Sequence, residues 1–358
     1  MATERLVKML QQNYPDLPIV ITTTTPTGSE RVRALFGDSV LHVYVPYDLP
    51  FAVRNFIQRA RPKLLVVIET EVWPNILAVC EQNNIPTILA NARLSEKSAA
   101  NYAKWPKFSR MVLNKIGRIA AQGEADAKRF IALGMPQDRI SIIGSVKFDA
   151  TIPASLLERS EVLRREWGER SVWVAASTQE GEDEQILAAH KTVLQAVPNA
   201  LLVLVPRHPE RFDRVFALCK RENLKTVRRS SGDPCDSDVE LFLGDTMGEL
   251  ALFLGGADVA FVGGSLIKHG GQNVLEPAAL GKPVVFGPHM YNFAAISELL
   301  LERDAAKMVS NAEELAKAVR FWLEDANERT RVGENGRQVV QENQGAVDRL
   351  FNLIEQQI

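Results

Sequence analysis

The stretch that decides the fold is ADVAFVGGSLIKHGGQNVLEPAALGKPVVFGPHMYN, residues 257–292. Val259–Val262 reads as a buried strand that breaks at Gly263-Gly264, and a polar loop leads on to Gly270-Gly271. Gln272-Asn273 then opens a short helical pattern, Val274 to Leu280, and Pro283–Phe286 forms a second strand closed by Gly287-Pro288. Strand, glycine loop, helix start and strand is the layout of a parallel α/β sheet that holds a phosphate at its carboxyl edge. Glycines without Cβ are expected to let the backbone approach a ligand, with free N–H groups at the helix start facing an anion. Glu276, one turn into the helix, is placed to reach a pair of ribose hydroxyls. An ordinary βαβ unit with tight turns would have the same glycines; the placement of Glu276 favours a nucleotide site.

Working outward, the rest of the second half repeats this alternation. Val172–Ala176 is a strand followed by Ser177-Thr178-Gln179-Glu180-Gly181-Glu182 and a helix to about Ala196. Leu201–Val205 ends in Pro206-Arg207, where an arginine can hold a phosphate in a bidentate fork. Glu240–Leu243 ends in Gly244-Asp245-Thr246-Met247-Gly248-Glu249. Small, basic and acidic groups at consecutive strand ends imply one converging cleft. The tail, Glu313–Ile358, reads as amphipathic helix.

The first half alternates as well, but it opens in a helix (Leu6–Leu10) with no strand before it. Ile19–Thr23 and Leu64–Ile68 are strands, the second nearly all apolar and hence central. Glu69, Glu71 and Trp73 follow that second strand, where α/β enzymes build their sites. Ile119–Ala121 and Ile140–Ile143 flank a helix containing Asp126–Leu133, and Lys147 lies just beyond the latter strand. Residues 93–118 are basic and aromatic. Arg93, Lys97, Lys104, Lys107, Arg110, Lys115 and Arg118 interleave with Tyr102, Trp105, Phe108, Met111 and Val112. Trp105, Phe108 and Val112 share a helical face, which suits either a lipid surface or a core-packed helix.

The 358 residues suit two domains, 1–150 and 151–358, joined through the charged segment 150–170. The formal net charge of −2 conceals an asymmetry. Residues 1–150 carry 19 Lys and Arg against 13 Asp and Glu, and the remainder 23 against 31. A basic first half suggests an anionic partner there, a phosphorylated molecule or a membrane surface. Cys80, Cys219 and Cys235 stand far apart without His partners, which argues against a disulfide framework or a zinc site. No run approaches the ~18 apolar residues of a membrane span, and no signal peptide opens the chain.

These stretches resemble the bacterial Kdo transferases, which move 3-deoxy-D-manno-octulosonic acid (Kdo) from CMP-Kdo to the lipid A precursor. The matching motifs are TPTGSERV (25–32), YVPYDLP (44–50), ETEVWPN (69–75), ANARLSEKSA (90–99), AAQGEADAKRF (120–130) and GSVKFD (144–149). They continue with VPRHPERF (205–212), GDTMGEL (244–250), VGGSLIKHGGQN (262–273) and LEPAALGKPVVFGP (275–288). The resemblance implies an α/β, GT-B glycosyltransferase, with two Rossmann-like parallel-sheet domains facing a central cleft. It implies an inverting reaction with no metal or other cofactor. The implied partners are CMP-Kdo, the lipid A precursor and the cytoplasmic face of the inner membrane, with no nucleic acid; attachment would be peripheral. It assigns CMP contact to Pro206, Arg207, Met247, Gly248, Glu249, Val274, Leu275, Glu276 and Pro277. Glu69 and Lys147 match positions given to transition-state stabilisation.

One departure matters. In the family a glutamate of a Gly-Glu pair, at the end of a first strand, acts as catalytic base, and the ungapped match places it upstream of Met1. The family's membrane-anchoring helix would lie there too. Two alternatives follow: a CMP-sugar-binding protein without transfer activity, and a GT-B enzyme of another nucleotide, such as a UDP-sugar epimerase. The expectation is that this chain binds CMP but transfers Kdo poorly beside a version extended through an upstream Gly-Glu strand. Loss of a general base costs ~10²–10⁴ in rate. Equal turnover by the two, with CMP-Kdo and lipid A precursor, would contradict it and move the base to Glu69 or Glu71.

Overall fold

The computed structural model describes residues 2–149 and 152–358. The chain forms two compact units, one of Met1–Ala150 with Asn343–Ile358, the other of Thr151–Glu342. The carboxyl-terminal segment does not stay with the second unit: the helix Ala346–Glu355 packs its apolar face on the first. Asp149, buried at the end of the first unit, explains the docking. Its carboxylate accepts the N–H groups of Gly345 (2.6 Å) and Val347 (2.5 Å), the orphan donors of that helix start.

The first unit contains β1 (Val20–Thr23), β2 (Leu41–Tyr44), β3 (Leu65–Ile68), β4 (Thr87–Ala92), β5 (Arg118–Ala121) and β6 (Ile140–Ile142). All pairings are parallel, but they form two sheets, β1-β2 and β3-β4-β5-β6. Among the described residues neither β1 nor β3 pairs along its other edge. The helix Ala2–Asn13 covers both sheets: Leu6, Met9 and Leu10 join the core over β3 to β5, and Val7 packs with Val32, Val40, Ile19 and Ile21. Burial follows this division. β4 is buried throughout, whereas every residue of β3 is only half-buried. The apolar sequence of β3 therefore reads as a central strand, yet it occupies an edge.

The second unit holds β7 (Val172–Thr178), β8 (Leu201–Pro206), β9 (Thr226–Arg228), β10 (Leu241–Leu243), β11 (Val259–Val262), β12 (Val284–Phe286) and β13 (Ala306–Met308). They make one parallel sheet in the order β13-β12-β11-β7-β8-β10-β9. Helices cover both faces, and Trp173, Leu202, Leu204 and Phe261 anchor one of its two cores. The chain leaves β7 toward β8 and later returns to β7's other side as β11. Strand order reverses there, the place where such sheets bind ligands. The outer strands β9 and β13 mix polar residues into their three positions, whereas the equally short inner strands β10 and β12 are wholly apolar and buried.

Candidate donor and acceptor sites

In the second unit the ends of β7, β8, β10 and β11 surround a cavity of about 230 Å³. Its walls include Ser177, Pro206 and Arg207, the Thr246–Gly248 turn, Gln272, Asn273 and Glu276. The convergence expected from four strand ends is thus present. Arg207 stands exposed on the wall, and no described residue engages its guanidinium in a hydrogen bond or ion pair. Its backbone N–H is fixed on the Thr178 carbonyl at 3.0 Å. Met247 is exposed and Gly248 has φ +83°, so the turn offers a thioether and an open backbone.

Glu276 is half-buried and accepts from Asn273 Nδ2 at 3.0 Å. Burial raises its pKa above the ordinary carboxylate value, against the opposing pull of that hydrogen bond and of the Arg207 charge. Val274, Leu275 and Pro277 are buried, and Val274 and Leu275 side chains belong to the core. They can serve a ligand only through their backbone. Glu249 does not line the cavity. Arg229 grips its carboxylate with two bonds (3.0 and 3.1 Å), Thr246 Oγ1 donates at 2.6 Å, and Arg159 lies at 3.3 Å. The Arg229 bond holds its pKa low. Glu249 braces the turn.

The glycine loop differs from the sequence expectation. Its N–H groups are occupied internally by Glu182, a fully buried carboxylate. Oε2 accepts Gly264 N–H (2.6 Å) and Gln179 N–H (3.0 Å), and Oε1 accepts Ser265 N–H and Leu266 N–H (both 2.9 Å). Gly271 and Gln272 donate to the carbonyls of Gly264 and Gly263. The glycines serve contact between turns. A Cβ on Gly263 would lie 2.7 Å from the carbonyl oxygen of Ser177 and from Thr178 Cα. Ser177 itself has φ +56° at a register shift between β7 and β8, a strained bulge costing about 1–3 kcal/mol.

In the first unit the ETEVWPN turn follows β3. Glu69 is exposed with φ +65°, and its N–H bonds the Ala90 carbonyl at 2.8 Å. Glu71 accepts from Trp73 Nε1 at 3.3 Å. The turn is tied down by Thr70 bonding the Arg93 backbone and by Asp48, whose carboxylate caps Asn75 and Ile76 (3.0 and 2.9 Å). Lys147 lies half-buried in the turn Val146–Asp149. Asn91, buried with φ +53°, accepts the Val146 N–H at 3.2 Å. Adjacent residues of β4, Ala90 and Asn91, therefore hold the Glu69 and Lys147 turns. Asp48, Asn91, Ser177 and Glu182 were not singled out from sequence. Nothing in their local pattern separates them from loop polar residues.

The basic stretch splits differently from the expected face. Trp105 precedes the helix Pro106–Leu113 and is 72% exposed, with Phe108 at 52% and Met111 at 54%, whereas Val112 is buried. Lys104, Lys107 and Arg110 are exposed beside them. Among the described residues no cluster of three or more His, Cys, Asp or Glu could hold a metal ion. No helix there is long and apolar enough to cross a membrane.

Residues 1–150 match the family model of 3-deoxy-D-manno-octulosonic-acid transferase (kdotransferase), and residues 177–339 that of glycosyl transferases group 1. A glycosyltransferase from Rickettsia africae shares the fold over 99% of this chain and 95% of its own, with a TM-score of 0.63 at 13% identity. The C-terminal CMP-Kdo binding domain of WaaA from Acinetobacter baumannii is 34% identical, with a TM-score of 0.51 over 53% of this chain and all of that one. The 3-deoxy-D-manno-octulosonic acid transferase of Haemophilus influenzae is 46% identical across 99% of this chain and 83% of that protein. Its Bordetella pertussis counterpart is 34% identical over 99% and 84%. The two parallel α/β units, together with the family models and relatives that they match, place the chain among the glycosyltransferases of the GT-B class. Within that class, the chain belongs to the 3-deoxy-D-manno-octulosonic acid transferase family.

The raised pKa of Glu276 carries a stability consequence. The unfolded chain ionises this carboxyl at a lower pH than the folded one does. Stability therefore falls as pH rises from the ordinary carboxylate range through the folded-state pKa. Glu276→Gln is expected to raise the thermal midpoint of the ligand-free protein at pH 7 and to lose that advantage near pH 4. An unchanged or lower midpoint at pH 7 would contradict the assignment of burial as the dominant cause.

Proposed function

We propose that the chain transfers Kdo from CMP-Kdo to the lipid A precursor, with inversion and without a metal or other cofactor. The observation that carries the reading is the second-unit cavity, where one unengaged arginine and one half-buried glutamate share a small space. CMP presents one phosphate and one ribose diol. Arg207 supplies a bidentate fork for the phosphate, Glu276 accepts from ribose hydroxyls, and the Met247-Gly248 turn borders the remaining volume. In the reaction an acceptor hydroxyl oxygen bonds to the anomeric carbon as the bond to the CMP phosphate oxygen breaks. The hydroxyl proton passes to a general base. Arg207 stabilises the charge growing on the departing phosphate. Lys147 and Glu69, on neighbouring turns of the first unit, are the residues that the family resemblance assigns to transition-state stabilisation.

Arg207→Ala removes a charge-assisted bond worth roughly 1.5–3 kcal/mol. CMP affinity measured by calorimetry should fall at least about tenfold; unchanged affinity would remove Arg207 from the donor site.

The acceptor reading rests on the exposed Trp105, Phe108 and Met111 among basic side chains, in a unit with a cationic excess. Aromatic and apolar groups enter the headgroup boundary while lysines meet anionic lipid. This supports peripheral attachment to the cytoplasmic face of the inner membrane. Each lysine near an anionic surface contributes about 1 kcal/mol, so reversing Lys104 and Lys107 to Glu should weaken binding to anionic vesicles at least about tenfold in low salt. Equal binding before and after reversal would leave only a solvated helix.

A further inference from the structure

We propose that Glu182 is the positioning residue of the donor pocket, an internal anion that sets the glycine loop before any nucleotide arrives. The proposal rests on the donor-site reading above. The carboxylate is fully buried, yet no cation pairs with it among the described residues; backbone N–H groups alone surround it. Three of these come from consecutive loop residues, Gly264, Ser265 and Leu266, and the fourth from Gln179 in the turn after β7. Consecutive N–H groups converging on one point form the concavity that elsewhere binds a phosphate. Here the protein fills it with its own charge.

Two consequences follow from the geometry. First, the turn after β7 and the loop after β11 are clamped together at the sheet's switch point. The loop's return leg is tied in turn, since Gln272 donates to the Gly263 carbonyl at 3.1 Å and Gly271 to the Gly264 carbonyl at 2.8 Å. Gln272 and Asn273 line the cavity, and Asn273 orients Glu276. A side chain that does not line the cavity thus fixes three that do. Second, the amides of Gly264, Ser265 and Leu266 are unavailable to a ligand phosphate. Recognition of phosphate then falls to Arg207, the β10 turn and the backbone at the start of the Leu275–Ala279 helix, which suits a nucleotide bearing a single phosphate.

The isosteric variant Glu182→Gln tests this. It removes the charge and turns an amide NH₂ toward N–H groups that need an acceptor. Hydrogen exchange in the ligand-free, full chain should show Gly264, Ser265 and Leu266 amides protected in the parent and faster by about tenfold or more in the variant. CMP affinity should fall by about tenfold or more, with KM for the donor rising much more than kcat falls. Glu182→Asp, one methylene shorter, should keep the charge and lose less on every readout; it also carries the test if the glutamine variant fails to fold. Unchanged amide exchange, or unchanged CMP affinity with faster exchange, would overturn the proposal. A parent chain that shows protected amides but binds no CMP would instead overturn the donor-site reading.

Discussion

A single buried carboxylate, Glu182, meets four backbone N–H groups where the strand order of the second sheet reverses. A charge in that position would cost many kcal/mol if unpartnered. Charge-assisted bonds to fixed amides satisfy it without mobile counter-ions. The tight turns around it are then obligatory. Gly263 must lack a Cβ because the end of β7, at Ser177 and Thr178, lies against it, and Ser177 must accept a left-handed backbone at the bulge. The cavity walls inherit their positions from this arrangement.

The first unit uses the same kind of device on a different chemistry. Asn91 sits with positive φ at a register shift between β4 and β5, as Ser177 does between β7 and β8. Its side chain accepts the Val146 N–H and so fixes the Lys147 turn from one side. Asp149 fixes the same turn from the other by capping the last helix, which explains why the carboxyl-terminal segment belongs to this unit. Local strain at strand ends is retained where the surroundings over-determine it. In both units it lies beside the groups assigned to chemistry.

The parallel α/β class and the strand ends at Arg207, Met247 and Glu276 were legible because buried strands and glycine turns leave direct marks in sequence. What was not legible depended on partners remote in the chain. Glu182 stands among Glu180, Asp183 and Glu184 and looks like any solvated acid; only the loop some eighty positions on distinguishes it. In sequence the glycine loop reads as a cradle for a ligand, because N–H groups without a visible acceptor invite one. The family resemblance assigns Glu249 to a ligand, whereas in the structure Arg229, Thr246 and Arg159 hold its carboxylate. β3 reads as central from its Leu-Val-Val-Ile composition, but edge or centre is decided by which strands pair beside it.

On the proposed function, the strand ends of the second unit form a site for a cytidine nucleotide with a single phosphate. Calorimetric competition between CMP and UDP on the full chain tests it most directly. The account predicts saturable CMP binding that excess UDP displaces poorly. Preferential binding of UDP, or binding of neither nucleotide, would contradict it.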